Sequence, residues 1–212
     1  RKLGRVDLRD AFLDTDALER ARGITIFSKQ AVLKLPDAEL TLLDTPGHVD
    51  FSAEAERALQ VMDYAILVIS GTDGIQSHTE TLWRLLERYR VPVFVFVNKM
   101  DLAGADRALR LGELRRRFGA GCGARAAPAG AADRGLCREE LLATITSGQT
   151  PAAPQLADAV ARREVFPVFF GAALKLDGVD ALLDALTRLT KPLPERAEFG
   201  ARIFKVTRDD AG

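Results

Sequence analysis

The sequence predicts an α/β fold with a mostly parallel sheet and flanking helices. Three observations predict it. Short, continuous apolar runs suit strands buried on both faces. Amphipathic stretches with helical spacing alternate with them. Several runs end abruptly in Asp, Asn, Gly, Pro or His, and ligands of open α/β sheets bind beyond the carboxyl ends of the strands. With 212 residues, 47% of them hydrophobic, the chain has enough material for one full domain and part of another.

The elements follow in order. "AVLKL" and "LTLLD" around the turn "PDAE" predict a hairpin over 31–44. "SAEAERALQVM" predicts a helix capped by Ser52, with Glu54 and Glu56 in its first turn. "YAILVIS" (64–70) predicts a strand buried on both faces, and residues 77–90 a helix with Leu82, Leu85 and Leu86 on one side. "VPVFVFVN" (91–98) is a second buried strand, and Leu109, Leu111, Leu114 and Phe118 mark a charged helix over 105–118. Residues 119–135 are rich in Gly and Ala and predict a flexible insertion extending to about 154, with short helices on either side of 148–154. "VFPVFFG" (165–171) is another strand and 178–190 an amphipathic helix. "KPLPER" reads as a linker, and "ARIFKV" opens a further strand.

Composition excludes several classes. The 30 basic and 30 acidic residues balance, so bulk charge gives no reason for nucleic-acid binding. Cys122 and Cys137 lack metal-ligand spacing and read as free thiols of a reducing cytoplasm. No apolar run of about 18 residues exists to span a membrane, and the start lacks a secretory segment. The missing initiator Met suggests a fragment.

Four stretches carry chemistry. In "LTLLDTPGHVDF" a strand ends in Asp44, whose carboxylate suits a hydrated Mg²⁺. Gly47 has no Cβ, so its N–H can approach a phosphate, and His48 can orient a water or exchange a proton. Taken alone, the stretch reads equally well as an ordinary strand-to-helix turn. In "FVNKMD", Asp101 can accept hydrogen bonds from the N1–H and 2-amino group of guanine, which adenine does not match. Such buried readout discriminates by factors on the order of 10⁴. Asn98 can contact the base and brace neighbouring loops, and the stem of Lys99 can lie over the ring. "FFGAALK" ends a third strand, with the N–H groups of Ala173 and Leu174 able to face a base carbonyl. In "ERARGITI" the Thr25 hydroxyl can complete a Mg²⁺ shell.

ERARGITI, DTPGHVDF, NKMD and GAAL, in this order, resemble the switch I, switch II and guanine-recognition motifs of translational GTPases. The resemblance is strongest to the elongation factor G branch and, within it, to the ribosomal protection proteins of tetracycline resistance. It implies a P-loop NTPase-type G domain over 1–190, a linker over 191–200 and the start of a β-barrel second domain at 201–212. It further implies GTP or GDP with Mg²⁺, a ribosomal partner, a monomer and a cytoplasmic location. Thr25 and, through water, Asp44 would hold the metal; Gly47 would bond the γ-phosphate; His48 would position the attacking water. Asn98, Lys99 and Asp101 would select guanine, with Ala172, Ala173 and Leu174 completing the pocket. Two departures stand out. The phosphate-cradling G-x-x-x-x-G-K-[ST] loop is absent, as expected for a truncated chain inactive by itself, and Ala172 stands where the family has Ser. A module using the scaffold without hydrolysis is the alternative.

Overall fold

The computed structural model describes residues 25, 28–35, 38–119, 121–124, 153–191, 198–201, 203, 204 and 206. They form two compact units, one up to Met62 together with the residues from 198 onward, the other within Asp63–Leu193.

The first unit carries the predicted hairpin. Strands β1 (Lys29–Lys34) and β2 (Glu39–Asp44) pair antiparallel, with Lys29 opposite Asp44 and Lys34 opposite Glu39. Leu35 N–H donates to the Ala38 carbonyl at 2.8 Å and closes the turn. A 3₁₀ turn, Val49–Phe51, then leads directly into helix α1 (Ser52–Leu59). The buried residues of α1 are Ala55, Ala58 and Leu59, a spacing that gives one apolar face. Ser52 is not the cap: the 3₁₀ turn already carries the chain into helical geometry, so Phe51 takes the cap position and Ser52 is the first helical residue. Ser28 N–H donates to Glu54 at 3.3 Å and ties the hairpin to α1.

The second unit is built on a parallel sheet of order β3 (Ala65–Ser70), β4 (Val93–Asn98), β6 (Phe166–Phe170), β5 (Cys122–Ala124). Helices α2 (Ser77–Arg88), α3 (Arg107–Phe118), α4 (Ala153–Ala161) and α5 (Val179–Leu189) alternate with these strands. Residues 93–97 of β4 are almost wholly buried, as the apolar run predicts for a central strand. Strand β3 corrects the prediction of burial on two faces. Leu67 and Ile69 are buried, whereas Ile66 and Val68 are 36% and 57% exposed, because β3 lies at the sheet edge and only one face is covered.

A second correction concerns residues 122–124, expected to be featureless. They form β5, with Cys122 fully buried opposite Phe166, since pairing with β6 overrides poor local propensity. Nearby, Trp83 stacks on Phe118 at 4.2 Å and meets Phe166 edge-on at 4.8 Å. The Arg163 guanidinium lies over both the Trp83 and Phe166 rings and donates to the Val91 carbonyl. Residues 125–152 of the expected insertion, the first of its two short helices and most of the linker lie outside the described residues. The described residues of "ARIFKV" are not in a strand.

Candidate functional site

The carboxyl ends of β3, β4 and β6 are laced together by backbone hydrogen bonds. Gly71 N–H donates to the Asn98 carbonyl at 2.7 Å, Gly171 N–H to Val97 at 3.0 Å, and Met100 N–H to Gly171 at 3.0 Å. The approach at Gly171 demands glycine, since a Cβ there would lie only 2.1 Å from the Asp177 carbonyl oxygen, while one on Gly71 would meet the movable Met100 Sδ at 2.7 Å and the Asn98 carbonyl oxygen at 3.0 Å. The turn after β6 is closed at its base by a reciprocal pair, Ala172 N–H to Asp177 at 3.1 Å and Asp177 N–H to Ala172 at 3.2 Å.

Asn98 joins the two turns. Its Oδ1 accepts from its neighbour's N–H, Lys99, at 2.8 Å and from Ala173 N–H, 75 residues away, at 2.9 Å. Lys99 sits at φ 61°, in the left-handed region that non-glycine residues occupy at a cost of about 1 kcal/mol. The Asn98 side-chain bond offsets part of that cost and fixes the direction in which residues 100 and 101 leave the strand. Asn98 thus ties its own turn to the turn after β6. The expectation for Ala173 changes: its N–H is taken up by Asn98, and of the two backbone donors considered, only Leu174 N–H makes no hydrogen bond among the described residues. Ala172 is buried and starts the 3₁₀ turn Ala173–Lys175 without a side-chain cap.

Asp101 has a partner that sequence reasoning missed. Lys175 Nζ stands 2.7 Å from Asp101 Oδ2. That hydrogen bond holds the Asp101 carboxyl below the usual carboxylate range, with desolvation opposing it. Lys175 lies inside "GAALK", yet nothing in spacing alone marks it, because the contact joins two turns far apart in sequence. A third acidic turn ends β3: Ser70 Oγ donates to Asp73 at 2.7 Å, which lowers the Asp73 pKa, helped by the Lys99 and Arg110 charges.

The predicted phosphate and metal residues lie in the first unit. Asp44 closes β2 and is half-buried; Pro46 is buried; Gly47 and His48 are exposed. A Cβ on Gly47 would meet nothing within 4 Å. His48 Nδ1 accepts from Asp50 N–H at 3.3 Å, and the Asp50 carboxylate lies 3.4 Å from the same nitrogen. Phe51 N–H donates to the His48 carbonyl at 3.0 Å and keeps the turn short. Thr25 is half-buried and is the described residue of "ERARGITI".

Among the described residues no cluster of three or more His, Cys, Asp or Glu could hold a metal. One carboxylate at a strand tip, Asp44, fits a hard, strongly hydrated ion such as Mg²⁺, which keeps most of its waters, and does not fit an ion that needs a full protein cage. No helix among the described residues is long and apolar enough to cross a membrane.

Comparison with known proteins identifies the family. The chain is 38% identical to the tetracycline resistance protein TetM of Streptomyces lividans, over 89% of the chain and 33% of that protein. It is 36% identical to the oxytetracycline resistance protein of Streptomyces rimosus, over 100% of the chain and 36% of that protein. Elongation factor G 2 of Borreliella burgdorferi shares 44% identity over 55% of the chain and 18% of its own length. The chain thus spans about a third of the first two relatives. A solved crystal structure of a Thermus thermophilus protein, ttk003000868, superposes with a TM-score of 0.74 over 89% of the chain and 36% of that protein at 22% identity, a likeness of fold. Residues 2–192 match the family described as the elongation factor Tu GTP binding domain, and the chain belongs to that family.

Proposed function

We propose that the chain is the guanine-nucleotide-binding part of a ribosome-dependent GTPase similar to the tetracycline resistance proteins and elongation factor G. The observation that carries this reading is the fastening of the 98–101 turn to the 172–175 turn through Asn98 and Lys175, which presents one ionised carboxylate at the sheet's carboxyl end. Two turns locked in this way form a rigid reader of a planar base edge.

In this reading Asp101 accepts the N1–H and 2-amino protons of guanine, the Lys99 stem covers the ring and the Leu174 N–H faces the base carbonyl. Ala172 and Ala173 supply a tight turn in place of contacts of their own. Thr25 and, through water, Asp44 would hold Mg²⁺, which would supply positive charge against the phosphates. The Gly47 N–H meets the terminal phosphate, and a glycine with open space around it suits close approach by a ligand. His48 positions the attacking water; an exposed imidazole contacted within its own short turn suits a residue whose final placement the ribosome completes. Catalysis is then mostly placement and charge stabilisation. The domain reading remains a G domain to residue 190, a linker over 191–200 and the beginning of a second domain at 201–212. The phosphate-cradling loop would come from the rest of a longer protein, and the outer edge of β3, with Ile66 and Val68 exposed, suits another parallel strand.

Calorimetric titration of the full-length protein with Mg-GDP, Mg-ADP and Mg-XDP tests the assignment. GDP should bind and ADP should not, and Asp101→Asn should move preference toward xanthine. His48→Ala should keep GDP affinity and lower ribosome-stimulated hydrolysis. Equal binding of GDP and ADP would overturn the guanine reading and leave an interaction module.

A further inference from the structure

We infer that Lys175 is a positioning residue for guanine selection, acting through the Asp101 carboxylate. The inference rests on Asp101 being the base reader and adds what sets its discrimination.

An Asp side chain ends in a torsion with a broad, roughly two-fold energy profile, so a lone exposed carboxylate rotates over a wide range. A base edge with two adjacent donors needs both carboxylate oxygens in one plane. Reading one donor needs a single oxygen and tolerates rotation. Something must therefore hold the Asp101 plane if the 2-amino group of guanine is to count. Within its own turn, Asp101 follows a left-handed Lys99 and a Met100 whose N–H is bound to Gly171, which fixes the backbone. Neither of these fixes the carboxylate plane. The carboxyl takes a hydrogen bond from its own backbone N–H and, from the facing turn, one from the Lys175 ammonium 2.7 Å from Oδ2, which is the larger influence.

The geometry leaves room for the base. A carboxylate offers about four acceptor positions on its two oxygens, of which Lys175 and the Asp101 backbone N–H take two. Lys175 is itself anchored, because it closes the 3₁₀ turn, with its N–H donating to the Ala172 carbonyl at 2.8 Å. That turn is in turn tied to Asn98 through Ala173. The backbone from which the ammonium reaches is thus held by the same two turns that it links. Its side chain is 64% exposed, so the pair adds little to folding stability and its removal should leave the fold intact. The lowered pKa of Asp101, for which the Lys175 hydrogen bond is the first cause, agrees with a carboxylate kept ionised and occupied.

Inosine diphosphate, which lacks the 2-amino group, separates this role from a general one. In the full-length protein, Lys175→Met should weaken GDP binding roughly fivefold while leaving IDP binding nearly unchanged, so the GDP-to-IDP ratio falls. Lys175→Arg should restore most of the ratio, since a guanidinium also reaches a carboxylate. Thermal unfolding of the two variants should match the wild type. A preserved ratio in Lys175→Met, whether both affinities hold or fall in parallel, would overturn the inference while leaving Asp101 as reader. So would a failure of Lys175→Arg to rescue. A wild-type protein with no preference for GDP over IDP or ADP would instead remove the guanine reading, and the role of Lys175 with it.

Discussion

The turns at the carboxyl ends of β4 and β6 and the turn after β2 carry equally suggestive residues but are built in opposite ways. The first pair is fastened at every point: Asn98 spans to Ala173, Met100 to Gly171, Lys175 to Asp101, and Gly71 packs under Met100. The turn after β2 holds His48 by a 3.3 Å bond within its own loop, and Gly47 has open space on the side where a Cβ would project. The difference is what the two proposed roles would require. A group that tells one base from another must be in place before the base arrives. A group that reports whether a phosphate is present must be free to change when it leaves.

The two glycines give the sharpest way to break this comparison. Gly171→Ala places a methyl 2.1 Å from a backbone oxygen, so the turn must open; a loss of about 3 kcal/mol or more is expected in urea unfolding. Removing Asn98 comes next. Asn98→Ala strips the acceptor from Lys99 N–H and Ala173 N–H and should cost about 1–3 kcal/mol, with loss of guanine preference. At the other turn, Gly47→Ala should change stability by less than about 0.5 kcal/mol, since the methyl meets no neighbour, while impairing the response to GTP. Comparable losses of stability from the Gly171 and Gly47 substitutions would erase the distinction.

The smallest effect is on pH dependence. The Asp101 carboxyl is lowered by its lysine partner, so its contribution is present above the ordinary carboxylate pKa and lost as pH falls through the lowered value. Asp63 runs the other way: burial raises its pKa, so its cost is present at neutral pH and relieved as pH drops through the raised value. Carbon-13 titration of the two carboxyls should show Asp101 below and Asp63 above the usual range, and Lys175→Met should move Asp101 alone.

Much of the framework was legible because pattern and structure agree where one face of an element meets solvent. The hairpin and the helix starting near Arg107 follow from such patterning and turn chemistry, and the central strand "VFVFV" from an unbroken apolar run buried on both faces. Strand β3 differs from its prediction because "AILVI" is apolar at every position, and whether Ile66 and Val68 are covered depends on neighbours rather than on their own chemistry. Strand β5 was invisible because "CGA" has no strand propensity and is recruited by β6. At the site, the residue types of Asn98 and Asp101 were readable, while the division of labour was not. That Ala173 gives its N–H to Asn98, and that Lys175 holds Asp101, are facts of approach between turns more than 70 residues apart.

The stack of Trp83 on Phe118, with Phe166 at its edge, has a spectroscopic consequence. Trp83 is the single tryptophan of the chain, and it lies wholly within the second unit. Its emission therefore watches the sheet unit alone, whereas far-ultraviolet circular dichroism sums over both. Following the two signals through one denaturant titration asks whether the hairpin unit and the sheet unit melt as a single cooperative body or in succession. No label or added chromophore is needed, since the dye is already built into the core.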